Sequence, residues 1–341
     1  MIKCVIWDLD NTLLDGVFLE SAGEPPGANA ELTAVLHELA GRGILQAIAS
    51  RNPPEACRYA ARALDHAFAA ARCGWGAKPA AIKAITTELG LAADEVAFVD
   101  DDPLERAEVS FSLPDVLVLA PGDVQQAAAW PLFSPPVVTA EARRRGELYL
   151  QRRARREEAH AFGGSRDEFI LRSQTSVRIG AAGAGDLARL HELSVRTHQF
   201  NSTGTPVSEA EFAGLLGSPD HRVVTVRLSD RFGDDGLVGA CIVATLPGGP
   251  GWQVPLLMMS CRALGRGVID GLLTWICRAA QVAGAARVTL PCVINPRNVP
   301  LRIALTGAGF RTSSQAGTGE VAEYVRDLSQ PVDELPSWVV S

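Results

Sequence analysis

Asp8 and Asp10 are the residues in this chain best placed to do chemistry. The apolar run Cys4-Val5-Ile6-Trp7 stops abruptly at two carboxylates separated by Leu9. A strand buried in a parallel sheet reads as a near-continuous apolar run, and its carboxyl end is where open α/β sheets place ligands. Alternation along a strand puts Asp8 and Asp10 on one side. Two neighbouring acids are costly unless a cation or a shared proton relieves them. The pair therefore suits Mg²⁺-assisted phosphoryl chemistry, with one carboxylate attacking phosphorus and the other handling a proton. The alternative is a strand that ends in a solvated Asp pair.

The pattern Asp-Xaa-Asp-Xaa-Thr over Asp8–Thr12, after an N-terminal apolar strand, resembles the haloacid dehalogenase (HAD) superfamily. The resemblance requires three further elements in order. Leu45-Gln46-Ala47-Ile48-Ala49-Ser50 is an apolar run ending in a hydroxyl, Lys78 precedes a helical stretch, and Glu95-Val96-Ala97-Phe98-Val99-Asp100-Asp101 is a run ending in acids. The resemblance makes Asp8 the nucleophile and Asp10 the general acid/base. It gives Ser50 and Lys78, with Thr12 and Asn52, to the phosphoryl group. Asp8, Asp10, Asp100 and Asp101 become the Mg²⁺ shell, Asp10 through its backbone carbonyl. Taken singly, Lys78 also reads as a surface lysine, and Ser50 as a helix cap ahead of Pro53 and Pro54.

Around these residues, strands alternate with Ala-rich helices over residues 1 to about 120, the sign of a Rossmann-like α/β domain with a parallel sheet. The pattern predicts helices over Ala30–Arg42, Pro54–Leu64, Pro79–Leu89 and Leu104–Phe111, with a loop around Gly23–Gly27. Only 38 residues separate Thr12 from Arg51, and about twenty separate Lys78 from Asp100. Neither interval holds a large lid domain. HAD enzymes without one often act on macromolecules or are covered by another domain.

The chain has 341 residues, 47% of them apolar, and a net charge of −7. That predicts two globular domains and argues against nucleic acid as the main partner. No run approaches the roughly 18 apolar residues of a membrane span, and the start lacks the order of a signal peptide. A cytoplasmic chain with no membrane partner is expected. Seven cysteines, Cys4, Cys57, Cys73, Cys241, Cys261, Cys277 and Cys292, lack zinc-like spacing. Most are expected to be reduced, buried thiols.

The boundaries read from the sequence are a HAD-like domain over 1–140, an arginine-rich linker helix and hinge over 141–175, and a second domain over 176–330. Residues 141–160 carry seven arginines and read as a helix, either a solvated connector or a surface for an acidic partner. Gly163-Gly164 reads as a hinge. Beyond it, Leu187–Arg196 is expected as a helix, Arg222–Leu228 as a strand, and Phe232–Gly236 as a turn into the strand Leu237–Thr245. A strand over Gln253–Met259 and a helix over Val268–Ala283 follow. This order resembles the α+β fold of GNAT acyltransferases. Arg262-Ala263-Leu264-Gly265-Arg266-Gly267 matches the loop with which GNAT proteins cradle a pyrophosphate, which makes Arg262, Gly265, Arg266 and Gly267 an anion or pantetheine loop. The same glycines also read as a turn needed for packing.

Cys261 stands just before that loop, and a thiol near a helix N-terminus and beside arginine has a lowered pKa. Such a thiolate could hold an acyl group as a thioester; a core cysteine is the other reading. Over about residues 1–315 the chain resembles the FkbH-like family, a HAD phosphatase domain fused to a GNAT-like domain. The carrying segments are Trp7–Leu13, Gly43–Ser50, Ala97–Val109, Arg196–Asn201, Asp230–Asp234 and Leu257–Arg262. The family implies glyceryl loading for polyketide biosynthesis. A cysteine captures the acyl group of D-1,3-bisphosphoglycerate, the HAD site removes the 3-phosphate, and glyceryl passes to the phosphopantetheine arm of an acyl carrier protein. His221, His198 and Asn201 are possible assistants to the thiol, or structural residues. The chain departs from the family at His198, at Arg51, at Gly76-Ala77-Lys78-Pro79 and around Asn295. These departures bear on the identity of the acyl unit. Two other readings remain open: an acetyl-coenzyme A dependent N-acyltransferase with a relic HAD domain, and a non-enzymatic docking protein for a carrier.

Overall fold

A computed structural model describes residues 1–21, 24–135, 138–246, 251–312 and 316–341. Gly23, in the loop expected around Gly23–Gly27, lies outside the described residues. The chain divides into two compact units, Met1–Arg153 and Ala154–Ser341.

The first unit is built on parallel strands: β1 (Cys4–Trp7), β2 (Leu45–Ser50), β3 (Ala70–Cys73), β4 (Val96–Val99) and β5 (Leu117–Leu119), in the order β3-β2-β1-β4-β5. The chain winds outward from β1 to β2 and β3, then returns to the other side for β4 and β5. The reversal leaves a crevice at the carboxyl ends of β1 and β4. Helices α1 (Ala30–Gly41), α2 (Pro54–Ala63), α3 (Lys78–Leu89) and α4 (Pro103–Ser112) link the strands, followed by short helices α5 (Val124–Ala127) and α6 (Ala140–Arg143). β1, β2 and β4 are buried along their whole length. Alternate residues feed separate apolar clusters: Val5, Trp7 and Ile48 pack with Leu32, Leu36 and Leu39 of α1, whereas Ile6, Ala47 and Phe98 pack with Ile82 and Ile85 of α3. Trp7 donates its indole N–H to Gln46 Oε1 at 2.7 Å, and Gln46 Nε2 donates to Ile44 O at 2.9 Å, so both buried polar groups are satisfied.

α7 (Arg145–Ala161) carries the arginine-rich stretch, and the unit boundary falls inside it. Several of its arginines are engaged at home. Arg144 pairs with Glu147 at 2.9 Å, Arg145 donates to Gly43 O at 2.7 Å, and Arg152 stacks over the Tyr149 ring. Of Gly163-Gly164, expected as a hinge, Gly163 has open space around it, while a Cβ on Gly164 would meet Phe162 and Glu168 within 2.8 Å. Ser165 and Glu168 then form the capping box of α8 (Arg166–Arg172).

The second unit is a seven-stranded mixed sheet: β6 (Ser176–Ala181), β7 (His221–Asp230), β8 (Gly233–Thr245), β9 (Gly251–Met259), β10 (Arg287–Val293), β11 (Val321–Asp327) and β12 (Val339–Val340), ordered β11-β10-β9-β8-β7-β6-β12. Its β6–β7, β7–β8, β8–β9 and β10–β11 pairs are antiparallel, and β9–β10 and β6–β12 are parallel. Helices α9 (Leu187–Arg196) and α10 (Glu209–Leu216) pack Leu190, Leu193 and Phe212 on one face. On the other, α11 (Val268–Val282) and α12 (Val299–Gly307) contribute Leu272, Ile276, Leu301 and Leu305. The fold is thus a parallel α/β unit followed by an α+β unit, the class expected from the sequence. Phe232–Gly236, expected as a turn, is mostly strand: only Arg231 and Phe232 turn, with β8 starting at Gly233. Among the described residues, no helix is long and apolar enough to cross a membrane.

Gly43, between α1 and β2, has φ +77°, and a Cβ there would lie 2.6 Å from the Ala142 carbonyl oxygen. Gly90, which ends α3 at φ +69°, has open space around it. Gly43→Ala is therefore expected to destabilise the protein by about 3 kcal/mol or more, and Gly90→Ala by only about 1 kcal/mol. Calorimetric melting of the two variants checks the difference.

Candidate functional site

The crevice of the first unit gathers side chains from every neighbouring strand end. Asp8 follows β1, Ser50 ends β2, Asp100 follows β4, and Lys78 opens α3 after the loop that leaves β3. Lys78 is almost fully buried and ion-paired with Asp8, with Asp100 at 2.8 Å and with Glu105 at 2.8 Å. Among the described residues, Asp8, Asp100 and Glu105 place carboxylate oxygens within 4.8 Å of one another. Three carboxylates against one ammonium leave a local excess of negative charge. Hard oxygen donors at that spacing fit Mg²⁺, which takes carboxylate ligands and keeps several waters.

The electrostatics follow from burial. Burial pushes the Asp8 carboxyl above its usual range, with Lys78 pulling the other way. Burial raises Asp100 to about 7, again opposed by Lys78 and assisted by the charge on Asp8. Lys78 is pulled down by its own burial, but the charges of Asp8 and Asp100 more than reverse that and hold it above its ordinary value.

Glu105 is the member that the sequence reading misses. It stands where that reading put Asp101. The Asp101 carboxylate is exposed and accepts a hydrogen bond from Thr12 Oγ1 at 3.4 Å, because it follows Asp100 directly and turns away from it. Pro103 begins α4, and Asp102 caps it with an acceptor for Leu104 N–H at 2.8 Å. That start leaves Glu105 in the first turn, beside the end of β4. A proline just past an acid-terminated strand is the signal that could have found it. Glu105 also holds Arg51 at 2.9 Å, and Glu108 holds the same guanidinium at 3.1 Å.

Asp10 lies in an irregular turn over Leu9–Leu13, in which Asn11 adopts φ +50° and Leu14 N–H reaches Leu9 O at 2.8 Å. Asp10 Oδ1 accepts Phe18 N–H at 3.0 Å, and Oδ2 accepts Asn52 Nδ2 at 3.0 Å. The carboxyl is thereby fixed beside the crevice, and its side chain is not among the three that cluster for a cation. Asn52 Nδ2 also donates to Ser50 Oγ at 3.1 Å, while its buried Oδ1 has no hydrogen-bond partner among the described residues. Thr12, expected to help hold phosphate, is fully buried and bonded to Asp101.

In the second unit, Cys261 follows β9 in a single tight turn over Cys261–Ala263, and its thiol is half-buried. Among the cysteines outside a disulfide, the other four are buried. Burial pushes the Cys241 thiol up to about 12 and the Cys277 and Cys292 thiols to about 11. Cys57 and Cys73 depart from the expectation of reduced thiols. They form a disulfide with Cα atoms 6.1 Å apart, because α2 packs its Cys57 turn over the end of β3.

The expected anion loop is largely committed to its own fold. Arg266 is buried and ion-paired with Asp235 and, at 2.6 Å, with Asp230; Arg155 of α7 holds Asp230 at 2.5 Å from the other side. Arg262 is buried, and its Nε donates to Ser260 Oγ at 3.3 Å. Gly265 O accepts Arg166 Nε at 3.2 Å, and Gly267, at φ +69°, lies under the Trp338 indole, which a Cβ would meet at 3.1 Å. Gly267 thus serves packing, whereas Gly265, at φ +75°, has open space around it. β9 and β10 pair only over Gly251–Gln253 and Arg287–Thr289 and then separate. The segment Phe200–Ser202 fills the gap: Met259 N–H donates to Phe200 O at 2.8 Å, Ser202 N–H to Leu257 O at 2.9 Å, and Val293 N–H to Ser202 O at 2.7 Å.

The possible assistants to the thiol separate. Asn201 is fully buried and organises its own loop, accepting Thr203 N–H at 3.1 Å and Gly204 N–H at 2.9 Å. His221 pairs with Ala244, which lies opposite Gln253, at the far end of β9 from Cys261. At 3.4 Å per residue that separation is roughly 20 Å or more, and its Nδ1 is shared with Ser218 Oγ at 3.0 Å. His198 is half-buried, two residues before Phe200.

No family model and no curated protein matches the chain. Solved structures do. The N-terminal part of a Bacteroides fragilis protein, containing a phosphatase domain complexed with Mg, is 29% identical over 37% of this chain, with a TM-score of 0.33; the chain covers 39% of that structure's length. The GNAT domain of an S. lividans protein is 16% identical over 44% of this chain and 89% of its own, with a TM-score of 0.35. Spermidine N-acetyltransferase from Vibrio cholerae is 15% identical over 45% and 96%, with a TM-score of 0.37.

The raised Asp100 value carries a sign. A carboxyl with a raised folded pKa favours the folded state below its unfolded value of about 4, and that contribution fades as pH rises toward 7. A cation needs the ionised form. Added Mg²⁺ is therefore expected to raise the melting temperature more at pH 8 than at pH 5.5, with a gain of about 2.7 kcal/mol at a hundred times Kd. Thermal shift assays with and without chelator check this, and Asp100→Asn should weaken the pH dependence, leaving the part owed to Asp8.

Proposed function

We propose that the first unit is a Mg²⁺-dependent phosphomonoesterase. The observation that carries this reading is Lys78 buried among Asp8, Asp100 and Glu105 at the crevice of a parallel sheet. Asp8 attacks phosphorus, the ester P–O bond breaks, and Asp10 gives a proton to the departing alkoxide. Asp10 then takes a proton from the water that hydrolyses the aspartyl phosphate, releasing inorganic phosphate and restoring Asp8. Ser50 and Lys78 hold the phosphoryl oxygens. Asp8, Asp100 and Glu105 would hold Mg²⁺, which when bound would supply charge neutralisation at phosphorus.

With the second unit, the resemblance to the FkbH-like family extends this to a glyceryl transferase and phosphatase. Cys261 attacks C1 of D-1,3-bisphosphoglycerate, phosphate leaves, and a thioester forms. The first unit removes the 3-phosphate, and the thiol of a carrier protein's phosphopantetheine arm takes the glyceryl group. An acyl phosphate is already activated, so the capture needs no ATP, whereas phosphomonoesters hydrolyse extremely slowly without a catalyst. The half-buried state of Cys261, against four buried thiols, supports its selection. An acetyl-coenzyme A dependent transferase with a relic HAD domain is favoured less, since Arg266 is tied to Asp230 and Asp235 and the first unit retains Asp8, Asp10, Ser50 and Lys78.

Asp8→Asn is expected to cut phosphatase turnover at least about a thousandfold with the fold intact. Intact-mass spectrometry after incubation with bisphosphoglycerate and Mg²⁺ should show an acyl adduct on the wild type and none on Cys261→Ala. Capture and transfer by Cys261→Ala would sink the thiol assignment, and full turnover by Asp8→Asn the phosphatase.

A further inference from the structure

We propose that Cys57 and Cys73 are a redox-responsive clamp on the two loops that hold the phosphoryl group, closed as the disulfide and opened by a dithiol reductant. The proposal rests on the reading of the crevice as a phosphatase site.

The bond spans 16 residues and ties together the segments that carry Ser50 and Lys78. Cys73 ends β3 directly opposite Ser50 in the sheet register, and Gly74 N–H donates to Ser50 O at 3.1 Å. Cys57 lies in the first turns of α2, after Ser50-Arg51-Asn52. Asn52 in turn anchors both Ser50 Oγ and Asp10 Oδ2. Lys78 follows Cys73 by five residues, and the intervening Gly74-Trp75-Gly76-Ala77 is exposed throughout, with Trp75 68% accessible. Cβ atoms built on Gly74 and Gly76 would meet nothing within 4 Å, so packing does not hold this loop. The covalent link adds to the Gly74–Ser50 hydrogen bond at the loop's start, as the ion pairs of Lys78 fix its end, and a small displacement of Lys78 or Ser50 is costly where orientation matters.

Both sulfurs belong to half-exposed residues, whereas Cys4, Cys241, Cys277 and Cys292 are buried. Arg58 and Arg72 flank the pair in sequence, each held by a glutamate, Glu55 at 2.7 Å and Glu88 at 2.6 Å. Opening proceeds by thiol–disulfide exchange. A thiolate of the dithiol bonds to one protein sulfur and the Cys57–Cys73 bond breaks; the reductant's second thiol then bonds to the reductant's first sulfur and expels the protein sulfur. Two electrons and two protons end on Cys57 and Cys73, and the dithiol becomes a disulfide.

The test uses the full chain equilibrated in mixtures of reduced and oxidised dithiothreitol, with maleimide labelling to count the open fraction. Hydrogen exchange read by mass spectrometry should quicken about tenfold on opening in peptides spanning 50–57 and 73–79, and not in the second unit. In parallel, kcat/KM for p-nitrophenyl phosphate with Mg²⁺ should fall about tenfold and recover on reoxidation. The Cys57→Ser, Cys73→Ser double variant should ignore the redox poise in both readouts. The clamp is refuted if labelling finds no bond at any poise. It is also refuted if exchange in both loops is the same with the pair open and closed. Redox-dependent exchange without turnover at either poise would uphold the clamp and refute the phosphatase reading instead.

Discussion

The interaction on which the first unit depends is the burial of one ammonium among three carboxylates. Lys78 is nearly inaccessible and touches Asp8, Asp100 and Glu105. Charges removed from water are expensive, and an ion pair recovers that cost only with good geometry and enough partners. Here the recovery is incomplete, since Asp8, Asp100 and Glu105 share Lys78 and only Glu105 has a second cation, Arg51. The remainder is met either by protons, which is why Asp100 is pushed up to about 7, or by a divalent cation. Every strand end around the crevice is arranged to sustain this imbalance. β1 and β4 deliver the two aspartates side by side, α4 delivers Glu105 in its first turn, and α3 begins with the lysine itself. Hard carboxylate oxygens at this spacing suit a divalent cation.

Much of this unit is legible in the sequence because burial and chemistry coincide there. Strands β1 and β4 are apolar without interruption and β2 is broken only by Gln46, and each ends in or is followed at once by a reactive side chain, so pattern and function mark the same boundary. β3 and β5 carry no comparable mark. Ala70-Ala71-Arg72-Cys73 lacks branched and aromatic residues, and Leu117–Leu119 is only three residues long. The disulfide was beyond reach for the same reason, since it joins a helix turn to a strand that the sequence hardly signals. Glu105 lies on a helix, where a carboxylate in the first turn ordinarily means favourable interaction with the helix dipole.

The second unit shows where residue type misleads. Arg262, Arg266 and Arg155 look in sequence like cations waiting for an anion. In the folded unit they are buried, and the last two share Asp230 and Asp235. The two aspartates flank the β7–β8 turn, where Asp230 Oδ1 also accepts Phe232 N–H at 2.9 Å. Two arginines and two aspartates balance in charge, so the network needs no ligand. A short pattern of arginine and glycine before a helix is equally good evidence for a phosphate cradle and for a rigid corner, and only the partners of the arginine distinguish them.

That corner bears on the thiol. The chain from Ser260 to Gly267 is pinned at both ends: Ser260 N–H donates to Val238 O at 2.7 Å, and Arg266 is locked to Asp230 and Asp235. Cys261 lies between these anchors, so its position is set by the sheet and by the β7–β8 turn rather than by a bound anion. The gap between β9 and β10 is likewise filled by Phe200–Ser202. A thiol held this way does not depend on coenzyme A to order its surroundings.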